Sequence, residues 1–204
     1  MLLADIKRAG NIPTDVILFN IDSKTENSNG EKVFNEKMGL SITPFVAEIE
    51  RHIISIGKYE EFKKAFEKNA NSPWEEMRDG IQFVEDEFAN AYAEVLGKSV
   101  EEARNIVERT EKNYTLSVEK FAERVRDNIK GKGDNHHVVF LVDEIGQYIG
   151  DDRSLMLNLQ TIVEDLGLEC GGKAWVIVTS QEAIDDVVKV QGNDFSKIQG
   201  RFDT

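Results

Sequence analysis

The run His137-Val138-Val139-Phe140-Leu141-Val142-Asp143-Glu144 decides the fold. Its apolar residues occupy consecutive positions, not alternate ones, as in strands buried on both faces of a parallel sheet covered by helices. Two further runs share this character. Val16-Ile17-Leu18-Phe19-Asn20-Ile21 follows Pro13 and Asp15 and ends in the polar stretch DSKTENSNG, while Ala174-Trp175-Val176-Ile177-Val178-Thr179 closes the set. Three such strands predict an α/β layer fold.

Working outward from these strands, more than a hundred residues separate the first from the second, with almost no strand character. Thr43-Pro44 opens a helix with Phe45, Ile49, Ile53 and Ile56 at helical spacing. Ser72-Pro73-Trp74-Glu75 and Ser99-Val100-Glu101-Glu102 both fit the capping-box pattern. Further helices are expected from about Tyr59 to Asn69 and from Leu116 to Ile129, the latter ending in the turn Gly131 to Gly133. The block is too long for a simple crossover. Residues 23–137 therefore read as an all-helical insertion, and 1–22 with 138–204 as the sheet-bearing core. Ser154 to Leu166, with Leu155, Leu159, Ile162 and Leu166 on one stripe, makes the last two strands a βαβ unit with an expected right-handed crossover.

Four or more apolar residues followed by Asp143-Glu144 form the Walker B pattern. A buried parallel strand delivers both carboxylates to the carboxyl edge of the sheet, where open α/β folds bind ligands. The aspartate then suits magnesium, largely through bound water, and the glutamate suits orienting and polarising an attacking water. The same string would also cap a helix. At that sheet edge the third strand ends in Thr179-Ser180-Gln181, a polar group where P-loop ATPases sense the γ-phosphate or, alternatively, an ordinary helix N-cap. Thr179 is the first choice because it ends the strand. Gln199-Gly200-Arg201-Phe202-Asp203 resembles the Gly-Arg-Phe-Asp segment of AAA-type ATPases, where an arginine of one subunit reaches its neighbour's nucleotide; an ion pair of Arg201 with Asp203 is the alternative.

A phosphate loop of the form G-x-x-x-x-G-K-[ST] does not occur among the 204 residues. Gly97-Lys98-Ser99 imitates its end, but Tyr92 stands where the first glycine belongs and a helix precedes it, so Ser99 reads as a cap. Gly171-Gly172-Lys173 is followed by Ala174 and a strand, and fails for that reason. His52, His136 and His137 have no third ligand at metal spacing and read as loop or surface residues. Trp74, Phe83, Phe88 and Tyr92 read as a helix-core aromatic stripe, and Cys170, with no base identified near it, as a passive thiol.

The formal charge of −13 disfavours autonomous binding to a phosphate backbone, and a single cysteine excludes an internal disulfide. The first residues, MLLADIKRAGNIP, match neither a signal peptide nor a spanning helix. A soluble, cytoplasmic protein is expected.

The stretches VVFLVDEIGQYIGDD (138–152), LMLNLQTIVEDLG (155–167), WVIVTSQEAID (175–185) and GNDFSKIQGRFDT (192–204), together with VILFNIDSKT (16–25), closely resemble the large P-loop ATPases of bacteriophage-exclusion (BREX) systems, the BrxC/PglY family. The resemblance spans most of this chain but only a small interior part of those proteins. It implies an AAA-type ATPase using ATP and magnesium, acting in phage resistance with other BREX proteins that include a DNA methyltransferase, and touching DNA indirectly. It also implies homo-oligomers. Asp143 and Glu144 match the family's Walker B positions, Thr179 or Ser180 its first sensor, and Arg201 its arginine finger. The Walker A loop is then expected upstream of Met1, so this fragment alone should neither bind nucleotide tightly nor hydrolyse it.

Such ATPases order their strands 5-1-4-3-2. The three strands here should be 2, 3 and 4, adjacent in that order, with an edge at residues 174 to 179 inviting self-association. The alternative function is a helical protein-interaction module on a non-catalytic scaffold. A carboxylate-dependent nuclease would need further acidic metal ligands than the sequence offers.

Overall fold

A computed structural model describes residues 7, 10–20, 29–143, 145 and 153–179. Strand β1, Thr14–Asn20, leads to helices α1, Asn29–Lys37, α2, Pro44–Ser55, α3, Tyr59–Ala70, and the single turn α4, Trp74–Met77. A 3-10 turn at Arg78–Phe83 precedes α5, Glu85–Leu96, α6, Val100–Asn113, and α7, Val118–Lys132; then follow β2, His137–Asp143, α8, Arg153–Cys170, and β3, Ala174–Val178. Two compact units divide the chain, Gly30–Thr115 on one side and Met1–Asn29 with Leu116–Thr204 on the other.

In the second of these units the three strands form a parallel sheet in the order β1-β2-β3, with Val16 beside Val139 and Val139 beside Trp175. That is the expected adjacency, within an α/β arrangement of a small parallel sheet and helices. Helix α7 starts where the Ser117 hydroxyl accepts the Lys120 N–H, and ends with Lys130 and Lys132 against the negative end of its dipole. Its apolar positions Phe121, Ala122, Val125 and Ile129 are buried, and the Phe121 ring lies 5.8 Å from that of Phe140 on β2. Packed beside it, α8 buries Leu166 and Cys170 and carries Glu169, which accepts a hydrogen bond from Arg126.

Two expectations need correction here. Helix α7 was placed in the insertion 23–137, yet it belongs with the sheet. The physical reason is its apolar stripe, which packs on β2 with Phe121 against Phe140 and on α8. The strands were also expected to be buried on both faces. Instead β2 alternates, and the face formed by Val16, Leu18, Trp175 and Ile177 stays 48, 66, 59 and 51% exposed. Both α7 and α8 pack on the opposite face, so among the described residues nothing covers this one.

The unit Gly30–Thr115 closes its own core around Phe62, Phe66, Trp74, Phe88 and Tyr92, joined by Val46, Ile49 and Ile53 of α2. The Trp74 ring meets Phe62 at 5.2 Å and Phe66 at 4.9 Å, both edge to face. Phe83 departs from the expected stripe and is 82% exposed, because the 3-10 turn contains the non-helical Gly80 and breaks the period. Ser72 does not build a capping box either. Pro73 takes the N-cap position of a four-residue helix without a side-chain cap. Ile56 falls just past α2 as its C-cap and is exposed, so that helical stripe ends a turn early.

Candidate functional site

Asp143 is the last residue of β2, at the carboxyl edge of three parallel strands, the edge where open α/β sheets present ligand-binding groups. The pairing of β2 with β3 continues for one bond beyond β3, where the Thr179 N–H donates to the Val142 carbonyl at 3.0 Å. The chain past Asp143 is then held to the same strand end, since the Ile145 N–H donates to the Thr179 carbonyl at 2.9 Å and Ile145 is buried. These two backbone bonds bracket the carboxylate. They bring the Thr179 hydroxyl within reach, and it donates to Asp143 Oδ1. Both side chains are exposed, and Asn20 of β1 stands in register with Asp143.

The structure thus unites two sequence-predicted residues, Asp143 and Thr179. Glu144, Ser180 and Arg201 lie outside the described residues. The donor set at this edge is a carboxylate with a neighbouring hydroxyl, hard oxygen chemistry that suits magnesium held largely through its own waters. Among the described residues there is no group of three or more His, Cys, Asp or Glu that could cage a metal directly. A water-mediated magnesium needs no such cage.

At the opposite edge, where the strands begin, lies a polar cluster that sequence reasoning missed. Asp15 Oδ2 meets Lys132 Nζ at 2.6 Å, His136 Nε2 at 2.9 Å and Asn128 Nδ2 at 3.5 Å. Burial works to raise the Asp15 carboxyl, but the hydrogen bonds from Lys132 and His136 and the Lys132 charge outweigh it and hold the group below its ordinary value. His136, read as a loop or surface residue, is 9% exposed, because Asp15 supplies the partner that lets an imidazole be buried. Residues 15 and 136 are 121 positions apart, so no local pattern could have shown it. His52 is exposed on α2, as expected.

The imitations of a phosphate loop have structural roles. Gly97 is the left-handed C-cap of α5, with φ 65°, and Ser99 caps α6: its hydroxyl accepts the Glu102 N–H while the Glu102 carboxylate accepts the Ser99 N–H at 2.9 Å. Gly171 and Gly172, at φ 57° and 78°, form the turn from α8 into β3. Cys170 is buried against α7, and burial foremost pushes its thiol up to about 11, away from the thiolate form.

A second feature missed in the sequence is Glu50 of α2, fully buried in the helical unit. Its carboxylate accepts from the Ser41 N–H at 2.6 Å, Tyr59 hydroxyl at 2.6 Å, Trp74 Nε1 at 2.8 Å and Arg78 at 3.1 Å. Burial and the adjacent Glu50 push the Tyr59 phenol well above its ordinary range. With every donor supplied from within the unit, this is a structural centre of the fold.

By class, fold and site describe an α/β unit with a carboxylate-hydroxyl pair at the carboxyl edge of its parallel sheet, joined to a helical unit with a core of its own. No family model matches the chain, and no solved structure matches it. Among the described residues no helix is long and apolar enough to cross a membrane.

Proposed function

We propose that the chain is part of an AAA-type P-loop ATPase of the bacteriophage-exclusion kind, its nucleotide edge marked by Asp143. The observation that carries this reading is the Thr179 hydroxyl donating to the Asp143 carboxylate at the carboxyl edge of adjacent parallel strands. In the intact protein Asp143 holds magnesium through water, and Glu144 orients and polarises the water that attacks the terminal phosphate of ATP. The bound ion supplies charge neutralisation for the phosphates. Thr179, with Ser180 after it, senses that phosphate, and Arg201 of a neighbouring subunit stabilises the charge developing on it. Hydrolysis drives assembly or remodelling of a cytoplasmic complex of other BREX proteins, a DNA methyltransferase among them, with DNA contacted indirectly. Copies of the chain associate through the outer edge of β3.

Titration with Mg-ATP tests the reading. The 204 residues contain no phosphate loop, so this chain alone should show neither micromolar affinity nor turnover. Extension on the amino side through a G-x-x-x-x-G-K-[ST] segment should restore both, and Asp143→Ala should then abolish the magnesium-dependent turnover. Micromolar affinity or robust hydrolysis by the chain alone overturns the proposal.

The closed core of Gly30–Thr115 favours one second reading, a protein-interaction module on a non-catalytic scaffold. Deleting that unit from the intact protein discriminates the two. Loss of complex assembly with ATP binding intact supports docking; loss of neither rejects it.

A further inference from the structure

We infer that a second copy of this chain docks on the outer edge of β3 in one register, antiparallel about Val176, and thereby brings the partner's Lys173 to the pair formed by Asp143 and Thr179. The inference rests on the proposed association through β3 and adds its symmetry, register and contributed residue. Bonds between β2 and β3 fix which backbone groups are available. The Val138 N–H donates to the Lys173 carbonyl and the Thr179 N–H to the Val142 carbonyl, so Lys173, Trp175, Ile177 and Thr179 turn their peptide groups toward β2. Strand alternation then turns the N–H and C=O of Ala174, Val176 and Val178 outward, where β3 pairs with no strand among the described residues. Such a row is a template for another strand.

An identical edge satisfies this one when the two run antiparallel about a two-fold axis at Val176. Val176 then exchanges both bonds with its own counterpart, and Ala174 does so with the partner's Val178. Trp175 falls directly opposite the partner's Ile177, at about 4.5 Å between Cα atoms. Both side chains are large, apolar and exposed on the uncovered face of the sheet. Parallel pairing of the same edges would turn the two uncovered faces to opposite sides and lose these contacts. No charge interrupts Ala174–Val178, so two chains of formal charge −13 meet along an uncharged strand.

The same register sets Lys173 opposite the partner's Thr179. Residues 173, 175, 177 and 179 share one face by alternation, and on that face the Thr179 hydroxyl donates to Asp143. Lys173 of each copy therefore arrives beside the carboxylate of the other, in exchange for its exposed bond to the Asp134 carbonyl. Within one copy the contact is out of reach. Lys173 bonds to Val138 at the start of β2 while Asp143 ends that strand, roughly 16 Å farther along. The dimer thus supplies a cation in trans where a carboxylate and a hydroxyl already meet.

Coupling with a water-soluble carbodiimide, which joins an amine to a carboxylate only in contact, tests the register on the 204-residue chain. Mixed isotope-labelled and unlabelled protein should yield an amide between Lys173 and Asp143 that joins labelled to unlabelled chains, read by mass spectrometry of the peptides. Lys173→Arg should keep the dimer and lose the link. Val176→Pro removes an N–H that points away from β2, so the far-ultraviolet circular dichroism should not change. The dimer dissociation constant should rise at least about tenfold. A dimer whose Lys173 links to no Asp143, a link confined to one copy, or Val176→Pro protein that dimerises like the wild type overturns the inference. A chain that stays monomeric at high concentration overturns it together with the β3 association. No readout involves nucleotide, so the Mg-ATP titration stands or fails separately.

Discussion

Glu50 and Arg78 form an ion pair 3.1 Å apart inside the helical unit, with the Glu50 side chain wholly closed off from solvent. Buried charge is tolerated only when its donors are complete, and here three more come from Ser41, Tyr59 and Trp74. Burial works to lower the Arg78 guanidinium, but Glu50 outweighs it and holds it above its ordinary value. Arg78→Ala leaves the carboxylate buried without its counter-charge and should cost about 3–5 kcal/mol. Glu50→Ala strands several donors and should cost a similar amount, with Glu50→Gln losing less because an acceptor oxygen remains. Urea unfolding followed by Trp74 fluorescence checks the series, and a Glu50→Ala protein as stable as the wild type would refute it.

Asp15 predicts an acid limb with a defined sign. Its folded carboxyl lies below the unfolded value of 3.8, because its bonds to Lys132 and His136 outweigh burial. A depressed carboxyl contributes stability that is fully present above the unfolded pKa and is lost as pH falls through the folded one. The stability difference between wild type and Asp15→Asn should therefore be constant from neutral pH down to about pH 4 and shrink below it. Thermal melts of both proteins across that range measure it. A difference that grows on acidification would contradict the assignment.

What the sequence displayed was local. The uninterrupted run at 137–142 announced a buried strand, and β2 spans His137–Asp143, with the Asp at its end where the pattern put it. Ser99, three positions before Glu102, was legible as a capping box because both partners sit within one turn. Glu50 was not, because its donors come from positions 41, 59, 74 and 78, and on a sequence it looks like the solvated side of an amphipathic helix. The stripe of α7 showed that it packs, but not on which unit, since Phe121 and Val125 would suit a helical core as well as the Phe140 face. Continuous apolar strands implied two covered faces; a strand pattern records what a face demands and not which segment meets the demand.

The outer edge of β3 pairs with nothing among the described residues, and Trp175 and Ile177 beside it are 59% and 51% exposed. An unprotected edge flanked by large apolar side chains favours pairing with another chain. The weight-average mass should rise with concentration in sedimentation experiments, and Trp175→Lys with Ile177→Lys should return it toward the monomer. Wild-type protein that stays monomeric at high concentration would remove the self-association proposal and leave the reading of Asp143 and Thr179 untouched.

Gly97-Lys98-Ser99 separates a helix boundary from a phosphate site by experiment. At Gly97 the backbone has φ 65° while an added Cβ would meet nothing within 4 Å, so Gly97→Ala is opposed by conformation alone, at about 1–2 kcal/mol. Ser99→Ala removes the hydroxyl that accepts the Glu102 N–H and should cost about 1 kcal/mol. Lys98→Ala, lying between the two caps, should change stability by less than either, within about 0.5 kcal/mol. If these residues only end α5 and begin α6, all three variants of the amino-extended protein should bind Mg-ATP as the parent does, while Asp143→Ala abolishes turnover. A Lys98→Ala protein with wild-type stability and no nucleotide binding would move the phosphate site to this turn and overturn the assignment of the sheet edge.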